Sequence, residues 1–205
     1  MSTILIARHG NTFEAGVIAT RVGLKSDLSL ASSGKIQAEN LGHYLSQHNI
    51  QPAKVYVSNL KRTQEMASIA LQVAGLNIQP IESPIFNEID YGPDEGKTNE
   101  QVIARIGATA LDAWENYAIP PHGWLLDANK IIHDWQNFAK LIPAQQTILV
   151  ITSNGIARFA PYLTEDFIKF SKENNIKLAT GAIGSLTHQD GVWKVDFWNK
   201  TPQGR

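Results

Sequence analysis

The sequence predicts an α/β fold, a three-layer αβα sandwich around a mostly parallel mixed sheet. Three short apolar runs rich in Ile and Val are typical of strands buried on both faces, namely residues 3–7, 54–58 and 147–152. Helical patterns separate these runs. Strands that alternate with helices favour a parallel sheet with helices on both faces.

Three amphipathic stretches predict the helices. Apolar residues recur at helical spacing in 32–49, with Ile36 on the face expected to be buried. The same spacing predicts a second helix in 63–75 and a third in 129–141. Residues 77–82 predict a further short strand.

The C-terminal part of the chain predicts a different kind of pairing. Residues 182–199 hold two strand patterns around Gln189-Asp190-Gly191, a turn signal that indicates an antiparallel hairpin. Residues 92–128 lack strand patterns and predict a small helical cap over the sheet. We therefore expect one domain over residues 1–205, with the cap as part of it.

Composition excludes several classes of protein. The 205 residues, 43% of them hydrophobic, suffice for a substantial core. The net charge of −1, from 18 basic and 19 acidic residues, argues against nucleic acid or an anionic membrane as partner. The absence of cysteine excludes disulfides and thiolate metal sites. The N-terminal apolar run is too short for a signal peptide, and we expect a cytoplasmic protein.

Polar residues follow each of the three main strands. The first strand runs into Arg8 and His9, and Arg62 lies one helical turn after the second. Ser153 and Asn154 follow the third. Because ligands of open α/β sheets bind beyond the carboxyl ends of the strands, neighbouring strands would bring these groups together.

These residue types suit phosphate chemistry. Arg8 and Arg62 each offer a planar fork of donors with a permanent charge. His9 between them could attack phosphorus through a neutral ring nitrogen and form a phosphohistidine, a scheme that needs no metal or cofactor. The alternative is that Arg8 and His9 form only a solvated strand end.

A leaving alkoxide also needs a proton. The stretch 86–96 contains four acids, Glu88, Asp90, Asp94 and Glu95. Such a cluster is usually a solvated loop, and spacing alone does not select a donor.

Four motifs in order resemble the histidine phosphatase superfamily, also called phosphoglycerate mutase-like. They are RHGNT, SNLKRTQEMA, NEIDYGPDEG and ILVITSNGIAR, and the likeness spans nearly the whole chain. The resemblance implies the phosphoglycerate mutase-like fold. It also implies that His9 is the nucleophile, that Arg8 and Arg62 bind the phosphoryl group, and that Glu88 is the general acid.

The resemblance also shows departures. Ser153 stands where the family has its second catalytic histidine, and Asn154 stands where it has a glycine. Loss of one preorganised donor typically costs about 3 kcal/mol in the transition state. We expect Ser153 or Asn154 to donate a neutral hydrogen bond instead, and His122 in the cap segment is a conceivable stand-in.

Three further positions bear on the pocket. Asn11 replaces the Glu or Gln frequent in the family, which makes the anion pocket more positive. Arg21 corresponds to an arginine that the family often keeps near the pocket rim. Arg158, four residues beyond Asn154, could face the pocket, but the favoured interpretation is a cation that covers its own helix carbonyls or faces solvent.

Together these observations predict a metal-independent phosphatase that acts through His9 on a small phosphorylated metabolite or a phosphoprotein. The chain lacks the tryptophan and asparagine that the mutase branch shows after its first motif. Mutase activity is therefore the less favoured hypothesis. The rival hypothesis is a degenerate member that only binds a phospholigand. We expect no nucleic acid or membrane partner, and the sequence leaves monomer or homodimer open.

Overall fold

The computed structural model describes residues 1–203 and confirms the predicted α/β class. The six strands are β1 (Ser2–Arg8), β2 (Lys54–Val57), β3 (Ile81–Glu82), β4 (Thr147–Thr152), β5 (Ile183–Gln189) and β6 (Val192–Lys200). Their order in the sheet is β3-β2-β4-β1-β5-β6. The first four strands pair in parallel, whereas β5 pairs antiparallel with both β1 and β6. The sheet is therefore mixed and mostly parallel, as predicted.

The helices in the described part of the chain are α1 (Ser32–Gln47), α2 (Lys61–Ala74), α3 (Asn99–Ile106), α4 (Ala108–Tyr117), α5 (Ala128–Lys140), α6 (Asn154–Ala157) and α7 (Phe167–Glu173). The three predicted helices are confirmed to within two residues at each end. No pattern predicted α6 or α7, which have only four and seven residues. None of the helices within residues 1–203 is long and apolar enough to cross a membrane.

The sheet separates two hydrophobic cores. Ile4 and Ile6 of β1 face one core, and Leu5 and Ala7 face the other. Helices α1 and α2 cover the second core, whereas α4 and α5 contribute to the first. Both faces are buried, which explains why the central strands read as continuous apolar runs.

The predicted cap segment is built into the larger core. It holds α3 and α4, and its Trp114 and Trp124 are both buried with ring centroids 5.2 Å apart. One detail of the helix prediction was wrong: Ile36 on α1 is 56% exposed. The buried stripe of α1 instead runs through Leu41 and Leu45.

The C-terminal hairpin has the predicted tight turn. Asp190 and Gly191 both have positive φ, 53° and 84°, and they form the two-residue loop between β5 and β6. Positive φ at both central residues matches the twist of the flanking strands, and Asp-Gly tolerates it. The two strands extend the sheet on the β1 side, and β6 is its edge strand.

Candidate active site

The carboxyl ends of three strands meet at one edge of the sheet. Arg8 at the end of β1 pairs with Thr152 at the end of β4, and Val57 at the end of β2 lies opposite Ile151. The His9 amide then donates to the Thr152 carbonyl at 3.0 Å. The register therefore places the residues after β1 and β4 side by side.

The imidazole of His9 is fixed by two partners. Its Nδ1 lies 2.8 Å from the Gly10 carbonyl, and its Nε2 lies 3.2 Å from Nε of Arg62. A carbonyl only accepts a hydrogen bond, so Nδ1 carries the proton. A guanidinium only donates, so Nε2 presents its lone pair. Both contacts require the same tautomer.

Burial sets the charge of this ring. Desolvation holds the pKa of His9 well below its usual value, and the charges of Arg62 and Arg8 lower it further. The hydrogen bond to the Gly10 carbonyl opposes this effect. His9 is 5% exposed, and its imidazole is neutral at neutral pH.

The two predicted arginines are held differently. Arg62 is fully buried, and its terminal nitrogens donate to the carbonyls of Ser26 at 2.6 Å and Gly23 at 3.1 Å. Arg8 lines the cavity and donates to the Leu178 carbonyl at 2.7 Å. Arg62 thus reaches His9 from the protein interior, whereas Arg8 faces the cavity.

Glu88 is the one acid of residues 86–96 that lines the cavity. It is 4% exposed, and its carboxyl group accepts hydrogen bonds from the amides of Ile89 and Gly155 at 2.9 and 3.2 Å. The Tyr91 hydroxyl donates to the same carboxyl group at 3.4 Å. A Cβ at Gly155 would lie 2.1 Å from Oε1 of Glu88, so this approach requires glycine.

Two neighbouring acids of the same stretch serve the local fold. Asp90 forms an ion pair with Lys25 at 2.8 Å. Glu95 accepts hydrogen bonds from the Gly23 amide at 2.8 Å and the Ser26 hydroxyl at 2.6 Å. Within residues 86–96 the tertiary structure thus leaves Glu88 as the acid that lines the cavity.

Asp94, the fourth acid, holds the cap segment. It is 1% exposed, and both of its oxygens accept hydrogen bonds from the guanidinium of Arg105. The indole of Trp124 donates to the same carboxylate at 2.6 Å. These contacts hold the pKa of Asp94 below its usual value although burial opposes them.

Ser153 and Asn154 differ in their access to the cavity. Ser153 is fully buried, and its hydroxyl has no hydrogen-bond partner among residues 1–203. Asn154 lines the cavity, and its Oδ1 accepts the Leu178 amide at 3.0 Å. Since the oxygen and nitrogen of an amide point in different directions, this contact leaves Nδ2 of Asn154 available to a ligand.

Asn11 lines the cavity, but its polar atoms are engaged elsewhere. Its Nδ2 donates to the Ser33 hydroxyl at 3.1 Å, and its Oδ1 accepts from the Thr180 hydroxyl at 2.6 Å. Its backbone amide donates to Gln37 at 2.8 Å. This geometry supports a role in holding the loop after β1 rather than the expected phosphate contact.

Arg21 lies at the rim, as the resemblance implied. Its guanidinium carbon is 4.9 Å from the ring centroid of Trp124 and 5.4 Å from that of Tyr91. It donates to the Asn99 side chain at 3.3 Å. Arg21 therefore contacts the cap segment while it faces the cavity.

The sequence interpretation of Arg158 was incomplete. Its Nε does donate to its own helix at the Asn154 carbonyl, at 3.3 Å, but the residue is 1% exposed and lines the cavity. It also donates to the Trp114 carbonyl at 2.5 Å and packs 4.0 Å above that ring. The four-residue spacing from Asn154, which raises a pocket-facing Arg158 as the less favoured alternative, is the signal that identifies this position.

His122 does not take the place of a second catalytic histidine. Its side chain is exposed and does not line the cavity. Among the six histidines, all within the described residues, His9 is the one that lines the cavity. Residues 1–203 contain no group of three His, Cys, Asp or Glu side chains that could hold a metal ion.

The cavity has a volume of about 560 Å³ and two contrasting sides. We call Arg8, His9, Glu88 and Asn154 the floor. We call residues 13–22, the irregular segment after β1, the strap. The remaining walls come from the strap, from the cap segment and from further residues that include Tyr91, Arg158 and Thr180.

A protein-family model matches nearly the whole chain. The model of the histidine phosphatase superfamily (branch 1) matches residues 4–201. The chain belongs to this superfamily. The match covers β1 through β6 and includes every residue of the floor.

Curated relatives and solved structures were found as well. A 2,3-bisphosphoglycerate-dependent phosphoglycerate mutase of Thermobifida fusca is 31% identical over 79% of this chain and 66% of its own length. Several other mutases match over about half of their length. This histidine phosphatase superfamily member thus spans between half and two thirds of those relatives.

The structural neighbours share the fold along their whole length. A mycobacterial glucosyl-3-phosphoglycerate phosphatase superposes with a TM-score of 0.79 at 18% identity, over 97% of this chain and 99% of its own. A structure described as a candidate alpha-ribazole-5'-P phosphatase from Escherichia coli gives 0.75 at 20% identity, over 99% and 98%. Because the sequence identities are only 18% and 20%, these superpositions show a shared fold and nothing about a shared substrate.

Proposed function

We propose that this superfamily member hydrolyses phosphomonoesters through a phosphohistidine intermediate on His9. The observation that carries the proposal is the fixed tautomer of His9, whose neutral ring presents the Nε2 lone pair beside two arginines. A neutral, oriented imidazole is a competent nucleophile toward phosphorus, and nearby cations stabilise the transferring group. No metal is required in this scheme.

The reaction has two balanced halves. In the first, the bond from Nε2 of His9 to phosphorus forms, the bond from phosphorus to the ester oxygen breaks, and the Glu88 carboxyl group gives its proton to the leaving oxygen. In the second, water attacks the phosphohistidine, Glu88 takes a proton from that water, and His9 is released. Both residues return to their starting states.

Arg62 has to change partner during the first half. Its Nε–H donates to the same Nε2 lone pair that attacks phosphorus. When the new bond forms, this donor is released and can turn to a phosphoryl oxygen. Its contacts with the Ser26 and Gly23 carbonyls would keep the guanidinium in place during the exchange.

We propose that Asn154 is the neutral side chain that donates a hydrogen bond to the phosphoryl group. The expected alternative was Ser153, but its hydroxyl is buried outside the cavity lining. Asn154 lines the cavity, and its Oδ1 is engaged by the Leu178 amide, which leaves Nδ2 for a ligand. The buried cation Arg158 lies beside it and donates to the Asn154 carbonyl. Arg8 and Arg21 complete the proposed anion site from the floor and the rim.

The proposed substrate is a small phosphorylated metabolite, since the cavity of about 560 Å³ has the size of an ordinary small-molecule site. The names of two structural neighbours support hydrolysis, whereas the curated relatives are mutases. A test of the proposal therefore includes both reactions.

The test begins with p-nitrophenyl phosphate in the presence and absence of a chelator. We expect turnover that the chelator leaves intact and that His9→Asn lowers at least about 10⁴-fold. Rapid quenching should give an acid-labile phosphoryl group on the wild-type protein and none on the variant. His122→Gln, at an exposed position outside the cavity, is the matched control and keeps full activity.

Other outcomes select the rival functions. Phosphate binding without turnover would point to a phospholigand-binding module. Interconversion of 2- and 3-phosphoglycerate that outpaces hydrolysis would point to a mutase.

A further inference from the structure

The strap gives the cavity an apolar wall. Phe13, Ala15, Val17, Ala19 and Val22 all line the cavity. The floor, by contrast, is made of charged and polar side chains. A ligand whose phosphoryl group occupies the floor would place the rest of its body beside these apolar residues.

This wall is exposed to solvent, but hydrogen bonds hold both ends of the strap in place. Val17 is 55% exposed, whereas contiguous apolar surface is normally buried or functional. Glu14 ties the first part of the strap to α1 by accepting hydrogen bonds from the Ser32 amide and hydroxyl at 2.8 and 2.9 Å. The Arg21 amide ties the last part to the Lys97 carbonyl at 2.9 Å.

The cations of the cavity walls either serve the proposed phosphoryl site, as Arg21 and Arg158 do, or already have partners or solvent around them. Arg158 and Lys177 share the carboxylate of Glu115, at 3.9 and 3.1 Å. Arg21 lies over two aromatic rings. Lys97 lines the rim and is exposed, so its charge is well solvated. These cations are therefore poorly suited to bind a second anionic group of the ligand. The apolar wall is better suited to bind an apolar group.

We infer that the ligand is a phosphorylated compound with an apolar body, an aryl or branched alkyl group that packs against Phe13, Val17 and Val22. This inference rests on the proposed function for its phosphoryl site and adds the class of substrate. Contact with such a body removes apolar surface of both partners from water, which is the source of the selectivity.

Binding of two phosphonates tests the inference without any chemical step. We would measure Kd by calorimetry for 2-phenylethylphosphonate and 2,3-dihydroxypropylphosphonate. We expect the phenyl compound to bind about 10- to 100-fold more tightly, with a more negative heat-capacity change. Val17→Ser should reduce this ratio, whereas Ile36→Ser, at an exposed position of α1 outside the cavity, should leave it unchanged.

Equal affinities, or tighter binding of the dihydroxypropyl compound, would overturn the inference. A ratio that Val17→Ser does not change would also overturn it, because the selectivity would then come from elsewhere. Turnover of p-nitrophenyl phosphate reports separately on the proposed function. A protein that prefers the phenyl compound but hydrolyses nothing would keep this inference and lose the proposed reaction.

Discussion

The floor and the strap form opposite sides of one cavity and are held by different means. On the floor, His9, Glu88 and Asn154 are buried, and backbone groups at or near the strand ends fix their side chains. The strap has no regular structure and exposes Val17 and Ile18. The sheet register thus fixes the side chains of the floor, whereas the opposing wall is an irregular surface loop, the kind of segment on which proteins often carry ligand specificity.

The largest effect on stability that we predict concerns the cap, which a buried charge holds in place, unlike the strap. Asp94→Asn should lower the free energy of unfolding by about 2–3 kcal/mol, since it leaves Arg105 without its anion. Arg105 is 31% exposed, so the loss should be smaller than for a fully buried pair. Urea denaturation measures it.

The matched control is Asp134→Asn, which breaks an exposed pair with Lys130 on one helix face. Such a pair contributes at most about 0.5 kcal/mol. Equal losses in the two variants would show that the cap is no more firmly held than the surface.

The second prediction compares two asparagines on the cavity wall. Asn154→Ala should lower kcat/KM about 10- to 100-fold, a change of about 1.4–2.7 kcal/mol, because it removes a donor aimed at the phosphoryl group. Asn11→Ala should affect kcat/KM much less and stability more, because its amide holds Ser33 and Thr180. Steady-state kinetics and thermal unfolding of both variants distinguish these roles. A greater kinetic loss for Asn11→Ala would reverse the assignment.

The third prediction uses the pH dependence of stability to test the burial of the floor. In the unfolded chain His9 takes up a proton as the pH falls through about 6.5, whereas its folded-state pKa is well below that value. The unfolded state then binds more protons, so the protein loses stability as the pH falls below about 6.5. His9→Gln removes this contribution.

We therefore expect the free energy of unfolding to differ less between pH 7.5 and pH 5.5 in His9→Gln than in wild type. His122→Gln, at an exposed position, should keep the wild-type difference. An unchanged difference in His9→Gln would mean that the imidazole titrates equally in both states and is not desolvated.

Parts of the fold were predictable because single residues and short patterns encode them. The apolar runs of β1, β2 and β4 identify central strands, since both faces of such strands are buried. Asp190-Gly191 identifies the hairpin through its backbone preferences. Helices α6 and α7 were not predicted, because four and seven residues are too few to establish a period.

The candidate site was predictable to a different degree. The sequence alone determined that Arg8, His9 and Arg62 follow strands and that these residues suit phosphate. Both properties are local, because they depend on the type of each residue and on its position along the chain. Only the tertiary structure decided which acid of residues 86–96 faces the cavity, that Arg158 lines it, and that Asn154 rather than Ser153 reaches it. These outcomes depend on which way a side chain points after the chain has packed. Contacts between residues 24 to 67 positions apart, such as that of Gly155 with Glu88, determine that direction.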